Sequence, residues 1–147
     1  MPEETIEING QAYNLTELMR VSPTSLEEEA TMQFGRYASW AVLAADSEAE
    51  LQRAKANLES VSAEQDSLVR DSLAQAAGKK PTEAQISAHV ALTPEYARAR
   101  EGFIQAQRNS SLLRCLERAF FARKDMIQVL SSLSTRERRA NVTVGVE

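Results

Sequence analysis

Between Leu26 and Ala77 the chain has no proline and a single glycine, Gly35, so nothing in that stretch forces a helix to stop. Glu27, Glu28 and Glu29 stand in what would be its first turn, where the helix dipole favours anions. A helix this long calls for a partner along its length. Reading every fourth and third residue alternately gives Leu26, Ala30, Gln33, Tyr37, Trp40, Ala44, Ser47, Leu51, Ala54, Leu58, Val61, Gln65, Leu68 and Ser72. Ten of these fourteen positions are apolar or aromatic, which predicts a heptad-like packing face. The polar seam residues are of the kind that set register or oligomeric state at some cost in stability.

Gly78-Lys79-Lys80-Pro81 ends this helix, since glycine suits the position after a C-terminus and proline cannot continue the helix. Thr82 to Leu92 predicts a short helix. Thr93-Pro94-Glu95 then reads as N-cap, first helical residue and first-turn acid of a second long helix, expected to run to about Leu133. Ahead of all this, Ile6 to Leu15 alternates on both sides of Asn9-Gly10, a hairpin signal, and Thr16 to Arg20 suggests a short helix before Ser22-Pro23-Thr24-Ser25 supplies an N-cap. An isolated hairpin is marginal in water, so this one packs on the helices, pairs with another chain or stays mobile. The last residues, 135–147, lack helical periodicity and read as a flexible tail, although Val142, Val144 and Val146 alternate like a short strand.

The fold class that follows is all-α: an elongated hairpin of two long helices forming an oligomeric bundle, with a small N-terminal β-hairpin. At 147 residues the chain suits one domain, divided into 1–23, 24–78, 82–134 and the tail. No run approaches the roughly 18 consecutive apolar residues of a membrane span, and the N-terminus is acidic, so neither anchor nor signal peptide is expected. The lone Cys115 excludes an internal disulfide, and His89 has no neighbours at metal-ligand spacing; a cytoplasmic protein without metal or cofactor is expected. Glycine-rich phosphate loops, nucleophile elbows and His-Glu-x-x-His runs do not occur, which points away from an enzyme.

The net charge of −4 conceals a division: residues 1–93 hold seven Lys/Arg against fifteen Asp/Glu, a balance of −8, and residues 94–147 hold ten against six, a balance of +4. Nine of those ten cations are arginine, the better group for phosphate and base stacking. On a helical wheel, Leu112, Leu113, Leu116, Phe120, Ile127 and Leu130 gather on one face of the second long helix. Arg100, Arg114 and Arg118 fall opposite, with Phe103 and Phe121 near them. Cations beside aromatic rings suit a single-stranded nucleic acid, phosphates taking the charge and unstacked bases the rings. Two plainer readings stand beside this one: the charged face is merely solvated, or the rings contact a neighbouring subunit.

Leu26, Glu29, Ala30, Tyr37 and Trp40 form the pattern Leu-x-x-Glu-Ala, six residues, Tyr-x-x-Trp. With it the region Thr24 to Leu133 resembles the UvsY-type recombination mediators of tailed phages. Cys115-Leu-Glu-Arg-Ala-Phe-Phe-Ala-Arg-Lys-Asp-Met-Ile127 is similar to that family's closing helix. The resemblance implies a homo-oligomeric ring, of six to eight subunits, that binds single-stranded DNA, contacts the single-strand-binding protein and loads a RecA-like recombinase, in the host cytoplasm if phage-encoded. Avidity is the physical logic, since weak sites held in one ring grip one strand together. That family carries a basic stretch in the middle of the first long helix, where this chain offers only Arg53 and Lys55. The weight therefore shifts to the second helix: the DNA-binding candidates are Arg100, Phe103, Arg108, Arg114, Arg118, Phe121, Arg123 and Lys124, with Arg53 and Lys55. Tyr37, Trp40, Leu51, Leu58, Leu116, Phe120 and Ile127 are the candidates for core or oligomer packing. The competing function, from another class, is a non-enzymatic structural or assembly protein of a phage.

Overall fold

The computed structural model describes residues 5–8 and 10–144. In chain order the elements are β1 (Thr5–Ile8), β2 (Gln11–Asn14), α1 (Leu15–Met19), α2 (Leu26–Ala77), α3 (Glu83–Ala91) and α4 (Pro94–Val144). The fold is all-α apart from the hairpin, with α2 and α4 packed on each other. It divides into two compact units, residues 1–44 with 112–147 and residues 45–111, and both long helices contribute to both.

In the first unit β1 and β2 pair antiparallel, with Ile6 opposite Tyr13 and Ile8 opposite Gln11. Gly10 takes φ 76°, the left-handed conformation that a tight turn requires, while Asn9 lies outside the described residues. Of the three fates open to the hairpin, packing on the helices is the one adopted. Ile8 is buried in a cluster with Trp40, Ala44, Leu113, Leu116 and Phe120, and Ile6, Tyr13, Leu15, Leu18 and Met19 close over it. Trp40 stacks on Phe120 at 5.6 Å between ring centroids and meets Tyr13 edge-on at 5.3 Å. Asn14 caps α1 through its side chain, which accepts from the Glu17 N–H.

In the second unit Ile86 and Val90 of α3 and Ala99 of α4 are buried, together with the polar Ser47, Gln65 and Ser110. Ser110 Oγ donates to Glu48 Oε2 at 3.1 Å across the α2–α4 seam. Thr82 and Gln85 form a reciprocal capping box at the start of α3. Arg70 bridges Asp66 and Glu83 and so ties the end of α2 to the first turn of α3.

Gly78, at φ 59°, follows α2 as expected. Thr93 stands at the N-cap position before Pro94, its carbonyl accepting the first α4 bond from the Ala97 N–H, but its hydroxyl donates back to the Val90 carbonyl instead of capping the helix. The largest correction concerns the end of the chain. The expected flexible tail from residue 135 continues the helix to Val144, and Val142 and Val144 are helical, with Val146 outside the described residues. Between Gly102 and Gly145 the sequence contains neither glycine nor proline, and Glu137 to Ala140 are ordinary helix formers.

The α2 seam is buried or half-buried from Gln33 to Gln65 and drifts at both ends. Ala30 and Leu68 are exposed, while Glu29 and Val69, each one residue further from the middle, turn inward. A strict heptad repeat departs from a straight helix by about 20° per heptad, which over three heptads approaches one residue.

Candidate nucleic-acid interface

Each unit holds its own share of the predicted cations. In the first, Arg114, Arg118 and Lys124 are exposed on α4, and Phe121 among them is 55% exposed. Three-residue steps from Arg118 to Phe121 to Lys124 keep these side chains along one strip of the helix. Lys124 Nζ lies 4.9 Å from the Phe121 ring centroid, and the Tyr37 ring of α2 tilts against Phe121 at 5.9 Å. Tyr37, Glu117, Arg118 and Phe121 line a shallow open cleft of about 230 Å³. Such a cleft presents aromatic surface and one cation, Arg118, to a flat, negatively charged ligand, with Lys124 over the Phe121 ring as a second cation nearby and Glu117 as an acidic margin.

The heptad spacing places Tyr37 only in the packing seam. It does pack there, half-buried, and through Phe121 it also supports the exposed aromatic strip. Trp40, Leu116, Phe120 and Ile127 are buried, and Leu51 and Leu58 are half-buried on the second unit's seam.

Two of the DNA-binding candidates are corrected. Arg123 is 3% exposed and points into the α2–α4 seam. Its guanidinium donates to Glu29 Oε2 at 2.7 Å, to Gln33 Oε1 at 2.8 Å and to the Arg20 carbonyl at 2.7 Å, so its charge is spent inside the seam, out of reach of a phosphate. Its Nε alone has no partner among the described residues. Gln33 also donates to the Phe120 carbonyl, and Arg36 adds a second cation to Glu29 at 3.0 Å. The Arg123 bond holds the Glu29 carboxyl below its usual range, with the Ser22 N–H and Arg36 assisting against the cost of burial. The signal lies in the spacing: Arg123 is three residues after Phe120 and four before Ile127, squarely on the heptad. Phe103 is the second correction. It is half-buried, four residues after buried Ala99 and seven before buried Ser110, and so belongs to the packing face of the second unit.

Also in the second unit, Arg53, Lys55, Arg100 and Arg108 are exposed. A cleft of about 540 Å³ there is lined by Leu58, Glu59, Ser62, Ala63, Asp66 and Tyr96, and its two carboxylates make it unsuited to phosphate. Phe34, 78% exposed on α2, is not marked by the heptad pattern, which picks out Gln33 beside it. No group of His, Cys, Asp and Glu among the described residues is arranged to hold a metal ion, and no helix among them is long and apolar enough to cross a membrane. No protein family matches the chain, and neither a curated protein nor a solved structure is detectably similar to it.

Proposed function

We propose that this chain is a non-enzymatic recombination mediator: it binds single-stranded DNA and promotes loading of a RecA-like recombinase in place of single-strand-binding protein. The observation that carries the reading is the exposed Phe121 ring, backed by Tyr37 and flanked by Lys124 and Arg118. An unstacked base finds a ring face there, and the adjacent phosphates find cations; duplex bases, already stacked, do not. Arg114 extends the charge along the same unit, and Arg53, Lys55, Arg100 and Arg108 offer phosphate contacts on the second. Each site is small, so useful affinity rests on several copies holding one strand. The UvsY-like pattern supports the same function, although Glu29 and Trp40 within it serve the core of the first unit.

Fluorescence anisotropy of a labelled poly-dT strand, beside a duplex control, tests this. Single-strand preference is expected, with Phe121→Ala weakening binding by about 1–3 kcal/mol. Lys124→Ala should lower the salt dependence of log K by about 0.7, the share of the single phosphate that Lys124 neutralises. Stimulated filament assembly by a RecA-like recombinase on strands coated with single-strand-binding protein then tests mediation. Equal affinity for strand and duplex, or no effect of Phe121→Ala, would move the reading to a structural or assembly protein. The exposed Phe34, Met126, Val129 and Leu133 favour that second reading.

A further inference from the structure

The packing face of α4 leaves a second apolar stripe unused. Leu112, Cys115, Ala119, Ala122, Met126, Val129 and Leu133 follow one another at alternating three- and four-residue steps, a heptad seam rotated by roughly 100° from the buried one. All seven belong to the first unit. Its large members point to solvent: Met126 is 54% exposed, Val129 59% and Leu133 48%, while Cys115 and Ala122 are exposed and Leu112 and Ala119 half-buried. Scattered exposed apolar residues need no explanation, whereas a run held in register over about 30 Å of helix does.

We propose that this stripe is a self-association surface on which α4 of a second copy lies antiparallel, with the two-fold axis between Phe120 and Phe121. Charge selects that register. With the axis there, Arg118 of each copy lies within two residues, about 3 Å along the helix, of level with Asp125 of the other and on the same side of the seam, close enough for two symmetric ion pairs where e and g residues ordinarily fix orientation. The seam layers then pair Leu112 with Val129, Cys115 with Met126 and Ala119 with Ala122, each made twice by symmetry. Small residues lie at the axis, where the helices come closest, and larger ones fill the space further out. Shifting the partner by one heptad, so that Cys115 meets Leu133, instead sets Asp125 against its own copy. The chosen pairing commits Arg118 to the second copy and leaves Phe121 and Lys124 for the strand, uncovered at roughly 130–170° round the helix from the stripe.

One helix pair about 30 Å long and 10 Å across covers on the order of 300 Å² per partner, below the roughly 800 Å² of a standard stable interface. Association is therefore expected at micromolar concentration. Because the contact is isologous, a larger ring built on it has an even number of subunits.

Sedimentation equilibrium of the full chain from 1 to 100 µM, with circular dichroism as a folding control, is the first arm. Reversible dimerisation is expected, abolished by Met126→Glu with helicity retained. Arg118→Asp should weaken the dimer at least tenfold, and the swapped double variant Arg118→Asp with Asp125→Arg should restore it. The second arm reads register: Met126→Cys, oxidised, should give a covalent dimer whose peptides join residue 115 to residue 126, while Leu133→Cys should not cross-link residue 115 to residue 133. A chain that stays monomeric at 100 µM overturns the proposal. So does an assembly indifferent to Met126→Glu, a charge swap that fails to restore association, or a 115–133 cross-link.

Discussion

Replacing Arg123 by alanine removes a buried cation from the middle of a seam. The guanidinium serves three acceptors, Glu29, Gln33 and the Arg20 carbonyl, at 2.7–2.8 Å, and its side chain is 2% exposed. Each acceptor left buried and unpaired costs about 1–3 kcal/mol, and more for a carboxylate. Arg36 still reaches Glu29, which holds the penalty below the simple sum. The expected loss is about 3–5 kcal/mol, the range found when one partner of a buried pair is removed. Against a whole-chain stability of roughly 5–15 kcal/mol that is a large fraction. Urea unfolding followed by ellipticity at 222 nm measures it. The triple change Arg123→Leu, Glu29→Leu, Gln33→Leu supplies the internal control: replacing the whole network by apolar groups should recover most of the stability, because the ion pair is costly to break yet contributes little net over a dry seam. A loss below about 1 kcal/mol for Arg123→Ala would show that water reaches the guanidinium and would refute the reasoning.

Two further outcomes follow from the same unit. Since the folded state depresses the Glu29 carboxyl, its contribution is complete above the usual carboxylate range and fades as pH falls through it, from about pH 5 downward; urea midpoints should therefore drop less between pH 6 and pH 3 in Glu29→Gln than in the parent chain. Phe120→Ala, which empties a fully buried site stacked on Trp40, should cost about 3–5 kcal/mol, whereas Phe121→Ala next to it should cost under about 1 kcal/mol, compared by the same unfolding curves.

The order and type of the elements are legible in the sequence because their punctuation is chemical. Gly10 and Gly78 sit at positive φ, Pro81 and Pro94 bracket α3, and the first turn of α2 is acidic. What the sequence does not disclose stays hidden for two reasons. Heptad spacing gives the phase of a helix only near the middle, so Ala30 and Leu68 fall on an extrapolated seam that the helix has already turned past. Residue type gives no burial when a charge is paired across elements: Arg123 reads as a surface cation until Glu29 and Gln33, some ninety positions earlier, are placed opposite it. Of the proposed interface, the cations and Phe121 are readable from the sequence. The support that Tyr37 gives Phe121 is not, because it depends on how two helices are rotated about their axes.

Trp40, the chain's single tryptophan, lies between Tyr13 of the hairpin and Phe120 of α4. Its fluorescence therefore registers the first unit and the docking of the hairpin upon it, whereas the second unit, residues 45–111, contains no indole. Ellipticity, by contrast, counts the helical turns of both units alike. The protein thus carries a built-in optical label that separates the melting of one unit from that of the whole, without any residue being changed.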